Sequence, residues 1–242
     1  MTEPTHARRT AAVPIVVAVD GPSGAGKSSV SRGAAIRLGL RYLDTGAMYR
    51  AITWWMLTHR VDVEASDSVA LRAHDPVVEA STDPADPTIK VDGVDVSGPI
   101  RSLEVTAAVS FVAAVPQVRA RMVELQRAAI GAGNIVVEGR DIGSAVAPEA
   151  AVKIFLTASE AARAARRSAE HSDDADAGLV SATKADLERR DHLDSTRAVS
   201  PLRRADGAVE IDATERTLDE VIDLVCDLVD AARASRTDEV TQ

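Results

Sequence analysis

A single cysteine, Cys226, stands in the 242-residue chain, so no internal disulfide and no cysteine metal cluster can form, and nothing points to secretion. Long hydrophobic runs are missing too. The longest, residues 11–19, is nine residues with Pro14 inside it, far short of a membrane span. It meets Asp20-Gly21 without the small-residue pattern of a cleaved signal peptide. Positive charge is in deficit: the net charge of −9 argues against general affinity for nucleic acid or anionic membrane. The five histidines lack metal-ligand spacing. What is present, 45% hydrophobic and 27% charged residues, is the composition of a folded protein and excludes bulk disorder. A soluble, cytoplasmic, monomeric globular protein of one large domain or two small ones is expected.

Lysine is nearly absent, with 4 residues against 24 arginines. An alanine-rich composition explains this bias as readily as a need for planar, two-pronged phosphate recognition, which favours arginine. The positions of the arginines have to decide.

Residues 1–13 read as a polar tail. Residues 15–19 form a short β-rich apolar run of the kind buried on both faces. A helix is expected over 26–38, with Val30, Ala34, Ala35 and Leu38 at helical spacing and Gly39 placed to stop it. A second strand follows at 41–43 and a second helix at 46–59, with Trp54 and Trp55 as packing residues. From residue 61 the chain turns acidic and carries Pro76, Pro84 and Pro87, the marks of a helix broken by loops. Residues 88–91 and 94–96 then alternate around Asp92-Gly93, a strong hairpin signal. Antiparallel pairing inside a β–α chain marks 61–100 as an inserted subdomain.

The helical pattern resumes over 101–132 with a break at Pro116, and strands are expected at 134–138, 151–156 and 208–212. Ser159 is a candidate N-cap, residues 170–178 break the following helix, and another helix covers 182–193. Thr217-Leu218-Asp219-Glu220 is a capping box opening a last helix. Its apolar face carries Val221, Ile222, Val225 and Val229, with Cys226 in the core, and 234–242 read as a second tail. Strands alternating with helices give an α/β three-layer fold, a mostly parallel five-stranded sheet covered on both sides, built from residues 14–60 and 101–233.

Gly21-Pro22-Ser23-Gly24-Ala25-Gly26-Lys27-Ser28 matches the phosphate-binding loop G-x-x-x-x-G-K-[ST] at every fixed place, between an expected strand and an expected helix. Glycines let the backbone bend so that its N–H groups converge on phosphate oxygens, at a helix N-terminus that already favours anions. Lys27 would reach the outer phosphates of ATP, and the Ser28 hydroxyl would sit on Mg²⁺, with Ser23, Ser29 and the loop backbone completing the cradle. No guanine-reading Asn-Lys-x-Asp occurs, and the strand at 151–156 ends in Thr157-Ala158 where many ATPases carry a carboxylate. The strand at 134–138 does end in a carboxylate, which leaves Glu138 or Asp141 a magnesium role beyond the ligand shell. The remaining class is small-molecule kinases, which need an acceptor site.

Asp44-Thr45-Gly46-Ala47-Met48-Tyr49-Arg50 follows the second strand and Glu138-Gly139-Arg140-Asp141 the third, the edge where open α/β sheets bind ligands. Arg190, Asp194 and Arg197 are spaced four and three, so one helical face carries all of them.

Taken together, the phosphate loop, D-T-G-A-M-Y-R, G-R-D, V-K-I-F-L and R-D-x-x-D-S-T-R-A-V-S-P-L resemble the bacterial cytidylate kinases, in order, from about residue 15 to 229. The resemblance implies the three-layer fold of the P-loop nucleoside monophosphate kinases, the hairpin insert as a monophosphate-binding subdomain, and a short helical lid over 163–190. It implies ATP as donor with Mg²⁺, and CMP or dCMP as acceptor. Arg50, Arg140 and Arg197 match positions that grip the acceptor's phosphate. Ser110, Arg119 and Asp141 match cytosine-reading positions, and Thr45, Arg190 and Asp194 groups around the sugar. Lys27, Arg140, Arg190 and Arg197 would bear on the transferring phosphoryl. Arg166 and Arg167 of the lid could face ATP, and Glu138 replaces an Asp of many members.

The chemistry agrees. Cytosine offers an amine donor that a carboxylate accepts and ring acceptors that a guanidinium satisfies, and uracil reverses the first two places. The acceptor's phosphate is already anionic, so no general base is needed and none is evident. Two alternatives stay open: a kinase for another small acceptor such as UMP, AMP or shikimate, and a nucleotide-sensing P-loop protein without turnover.

Overall fold

The computed structural model describes the backbone of residues 14–169 and 177–241, and side chains over 14–166 and 184–236. The expected tail at 1–13 lies outside the described residues. In chain order, β1 (Val16–Asp20), α1 (Lys27–Leu38), β2 (Arg41–Asp44) and α2 (Thr45–Thr58) come first. Then follow α3 (Ser66–Arg72), β3 (Val78–Ala80), β4 (Ile89–Val91) and β5 (Val94–Asp95). Beyond them lie α4 (Leu103–Ala114), α5 (Pro116–Ile130), β6 (Ile135–Gly139) and β7 (Val152–Thr157). The chain closes with α6 (Glu160–Ala169), α7 (Ala177–Thr196), β8 (Val209–Asp212) and α8 (Leu218–Thr241).

Five strands form a sheet in the order β2-β6-β1-β7-β8, every pair parallel. β1 is central, with Val17 opposite Val136 of β6 on one side and Val152 of β7 on the other. Because alternate side chains leave opposite faces, the apolar run of β1 serves two cores. Val17 and Val19 pack with Val30 and Ala34 of α1 and Val225 and Val229 of α8. Ala18 packs with Ile52 and Met56 of α2, Val112 of α4 and Met122 of α5. The result is the expected three-layer α/β arrangement.

Local chemistry explains the breaks. Gly39 closes α1 in the left-handed conformation, φ 64°, its N–H donating to the carbonyls of Ala35 and Ile36. Val115, forced extended (φ −72°, ψ 123°) by the following proline, splits α4 from α5. No single described helix is long and apolar enough to cross a membrane, and this pair is bent by 96°.

Residues 61–87 differ from expectation: besides the short helix α3 they contain β3, which pairs antiparallel with β4, so the Asp92-Gly93 hairpin is part of a three-stranded sheet. Asp92 and Gly93 both have positive φ (51° and 78°), the geometry of a tight type I′ turn. Asp92 also anchors the sheet on α2, accepting from Trp55 Nε1 at 2.8 Å. Two helices outrun their expected limits. α7 begins at Ala177 and ends at Thr196, and α8 continues to Thr241 through 234–241, expected as tail. Ala231, Ala232 and Ala234 favour helix without adding an apolar face, so periodicity gave no sign of it.

Candidate active site

β1 delivers the chain to the phosphate loop, and α1 starts at Lys27 with Gly26 as a left-handed N-cap (φ 92°). Gly21, at the end of β1, has φ 152°, and a Cβ there would lie 2.1 Å from the Leu156 carbonyl oxygen of β7, so only glycine fits against the neighbouring strand. Lys27 is buried and its Nζ donates to the Pro22 carbonyl at 2.7 Å. Burial, then the nearby Arg140 charge, lowers its pKa to about 7. A buried ammonium so held has few partners and welcomes an anion.

The loop forms one wall of a cleft of about 720 Å³, within the range that holds a nucleotide-sized ligand. Ser23, Gly24, Gly26, Lys27, Ser28 and Ser29 line that wall. The opposite side is rich in arginine, and three of these guanidinium groups are tethered to carboxylates. Arg140 Nε donates to Asp194 Oδ2 at 2.9 Å, and Arg50 Nη2 to Asp44 Oδ2 at 3.1 Å. Arg197 lies 3.5 Å from Asp141 Oδ1 and 3.8 Å from Asp194 Oδ1. Nε of Arg50 and Arg190 and Nη2 of Arg197 are buried without a hydrogen-bond partner, an arrangement that awaits an anionic ligand. Burial and then Arg140 lower the Arg190 pKa to about 10, which leaves it charged near neutrality.

Deeper in the cleft, Asp141 pairs with Arg119, both nearly inaccessible (5% and 2% exposed side chains). Arg119 also donates from Nη1 to the Ala113 carbonyl at 3.3 Å and lies over the Tyr49 ring, 5.5 Å from its centroid. Ser110 of α4 and Tyr49 of α2 line the same end. A carboxylate and a serine hydroxyl there form a small polar set on an otherwise apolar wall that includes Ile100, Val109 and Ala113.

Between the two ends sits a buried carboxylate. Glu138 at the end of β6 accepts a hydrogen bond from the Tyr42 hydroxyl, and its carbonyl accepts from Thr45 Oγ1 at 2.6 Å. Burial, then Asp44, raises the Glu138 pKa to about 7.

The sequence-derived set is therefore largely gathered in one place: Thr45, Arg50, Ser110, Arg140, Asp141, Arg190, Asp194 and Arg197 face the phosphate loop across the cleft. Four residues lie off its walls. Gly21 and Ala25 support the loop from below, Arg119 stands behind Asp141, and Arg166 is held outside, donating to the carbonyls of Ala25 (3.4 Å) and Ala213 (2.5 Å). Arg167 lies outside the residues whose side chains are described. Thr45 lines the cleft, but its hydroxyl is committed to joining β2 to β6.

Sequence reasoning missed several supports. Asp20 is buried and accepts from the N–H groups of Ile142 and Gly143, both at 2.8 Å, fixing the π-helical turn Ile142–Val146 that carries Asp141 at its start. Burial raises the Asp20 pKa to about 6. Tyr42 and Arg163 are likewise tertiary partners of site residues that no local spacing announces, and Asp191, though part of the R-D-x-x-D motif, takes no role of its own from it.

A parallel α/β sheet with a phosphate loop at its carboxyl edge, facing a tethered arginine cluster and a cleft for a second small molecule, defines a P-loop phosphotransferase with a small-molecule acceptor. Comparison with known proteins narrows this. The sequence model of the family described as cytidylate kinase matches residues 17–231. The chain is 57% identical to a cytidylate kinase of Streptomyces griseus over 228 residues, 93% of this chain and 97% of that one. It is 54% identical to one of Rhodococcus opacus over 209 residues, 86% of this chain and 91% of that one. The chain belongs to the cytidylate kinase family.

Proposed function

We propose that the protein transfers the γ-phosphoryl group of ATP to CMP or dCMP, giving CDP or dCDP and ADP. The observation that carries the reading is the shared cleft, with Lys27 at one end, the Asp141–Arg119 pair at the other and Arg50, Arg140, Arg190 and Arg197 between them. The acceptor phosphate enters as an anion, so no residue has to remove a proton from it. The work left to the protein is to bring two polyanions together in line and to match the charge that spreads over the moving phosphoryl. Lys27 and the loop amides hold the donor phosphates, while Arg50, Arg140 and Arg197 hold the acceptor phosphate. Arg190, kept charged between them, supports the transferring group.

Asp141 accepts from the exocyclic amine of cytosine, with Arg119 behind it orienting the carboxylate. Ser110 adds a hydroxyl on the same wall, and Asp194 reaches the sugar. Among the described residues no cluster of three carboxylate, imidazole or thiolate groups could hold a metal alone. Ser28, with Glu138 and Asp44 near it in the cleft, would offer hard oxygen atoms that suit Mg²⁺. Bound there, Mg²⁺ would supply positive charge to the donor phosphates. We further propose that residues 61–100 act as the acceptor-side insert and 163–190 as the lid.

A coupled assay with ATP and Mg²⁺ tests the reading, using CMP, dCMP, UMP, AMP and shikimate as acceptors. CMP and dCMP are expected to have the highest kcat/KM. A higher value for any of the other three overturns the acceptor assignment.

A further inference from the structure

Ser23, at the tip of the phosphate loop, is held through every polar atom it has. Its N–H donates to Asp191 Oδ1 at 2.9 Å, its carbonyl accepts from Arg163 Nη1 at 2.9 Å, and its hydroxyl accepts from Arg140 Nη2 at 2.8 Å. The same Nη1 of Arg163 is ion-paired with Asp191 Oδ2. The Ser23 peptide groups, Asp191 of α7 and Arg163 of α6 thus close a ring that joins the loop to both helices. The two charged side chains are largely out of water, 9% and 17% exposed, so each needs the other as counter-charge.

Packing reinforces the ring. A Cβ on Gly24 (φ 76°) would lie 3.2 Å from both the Cβ and the carbonyl oxygen of Arg163 and 3.5 Å from Leu187 Cδ1. The bases of α6 and α7 therefore rest directly on the loop. Neither Arg163 nor Asp191 lines the cleft, so neither is placed to touch a nucleotide there. What they can do is fix the two peptide planes on either side of Ser23, Asp191 through the Ser23 N–H and Arg163 through the Ser23 carbonyl. The amides that follow, through Lys27, take their direction from those planes, and a loop that grips phosphate depends on all of them converging.

We propose that Asp191 is a positioning residue for the phosphate loop: paired with Arg163, it locks Ser23 so that the loop has its phosphate-gripping shape only while α6 and α7 are seated. The proposal rests on the kinase reading of the cleft but not on which acceptor is used. It makes seating of the lid helices and competence of the loop a single event, the condition for keeping water away from the donor until closure.

The test reads donor binding separately from acceptor binding. Asp191→Asn keeps the size of the side chain and an oxygen for the Ser23 N–H but removes the charge facing Arg163. Arg163→Met removes the other half, and Arg163→Lys keeps the charge pair with a different donor geometry, guarding against loss of folding. Binding of a fluorescent ATP analogue is measured by titration and CMP binding by calorimetry, with kcat alongside. Asp191→Asn and Arg163→Met are each expected to weaken ATP-analogue binding about tenfold and to lower kcat about 10-fold to 100-fold, with CMP affinity unchanged within about twofold. Arg163→Lys moves in the same direction by less. The double variant Asp191→Asn/Arg163→Met should be no worse than the worse single, because both act through one ring. Lys184→Ala, which cuts the exposed Lys184–Glu160 pair between α6 and α7 (3.1 Å), should leave both readouts as they are. Unchanged ATP-analogue binding and kcat in folded single variants overturn the proposal. Multiplying losses in the double variant, or an equal effect of Lys184→Ala, do so too. Failure of the wild type to phosphorylate CMP would instead count against the acceptor assignment, leaving the ATP-analogue readout to judge Asp191.

Discussion

Arg140 and Asp194 meet across the cleft, guanidinium Nε to carboxylate Oδ2, at 2.9 Å. Arg140 follows β6 and Asp194 lies on α7, so the contact joins the sheet edge to that helix. Burial works against the Arg140 charge, yet Asp194 raises its pKa above the ordinary value. Asp194→Asn is therefore expected to lower kcat/KM for CMP by about 100-fold, through a displaced Arg140 and loss of the proposed sugar contact. The pair is mostly buried, with side chains 20% and 11% exposed, so removing the charge is expected to cost about 2–3 kcal/mol of stability. Steady-state kinetics with a urea melt checks both, and a variant with wild-type kcat/KM removes Asp194 from the site.

Asp141 sets base choice if the deep end of the cleft holds cytosine. Asp141→Asn puts an amide donor where only acceptors stood, which suits the carbonyl of uracil better than the amine of cytosine. The ratio of kcat/KM for CMP over UMP is expected to fall by at least about tenfold. Arg119 loses its buried counter-charge in that variant, and Arg197, 3.5 Å from the other carboxylate oxygen, loses part of its own. A weaker fold by about 2–4 kcal/mol should accompany the altered choice. An unchanged CMP/UMP ratio would falsify the base-reading role.

What the sequence disclosed follows how local each cause is. The strand–loop–helix around Lys27 was legible because glycine, lysine and serine act within eight positions. The turn at Asp92-Gly93 and the break at Pro116 were legible for the same reason, since backbone chemistry at one or two residues decides them. β3 was not, because three residues become a strand only by pairing with β4. The π-helical turn at Ile142–Val146 depends on the Asp20 carboxylate, which lies more than a hundred residues earlier, and no periodicity carries that information. In the site, Arg140, Asp141 and Arg197 stood out by motif. Arg163 sits in an alanine–arginine stretch without a motif of its own, and only its contact with Ser23 and Asp191 singles it out.

Asp20 gives the fold a pH dependence with a definite sign. Its native pKa of about 6 lies above the ordinary 3.8, chiefly through burial, so the folded protein binds the extra proton between those values. Its contribution to stability is complete below about pH 4, declines as pH rises through 6 and is constant beyond. Asp20→Asn removes the titration and keeps one acceptor for the two amides of the turn. Relative to the variant, the wild type should lose about 3 kcal/mol of stability between pH 4 and pH 7.5, as an order of magnitude. Urea midpoints across that range decide the matter, and parallel curves for the two proteins would show that Asp20 titrates alike in both states.

In the proposed division of labour, Lys27 serves the donor and not the acceptor. Its Nζ makes one hydrogen bond, to the Pro22 carbonyl inside its own loop, so its removal leaves no distant element without a partner. In the proposed acceptor wall, Arg50, Asp141 and Arg197 are tied to Asp44, Arg119 and Ser200 rather than to Lys27. Lys27→Ala should thus fold normally, bind CMP within about threefold of wild type, and lose transfer by roughly 10²–10³ or more, the cost of one preorganised charge at a reacting phosphoryl. Calorimetry with CMP and a coupled assay on the same preparation measure the two halves. If the folded variant loses CMP binding along with turnover, the two ends of the cleft are not independent, and the division of labour between the loop and the arginine wall is wrong.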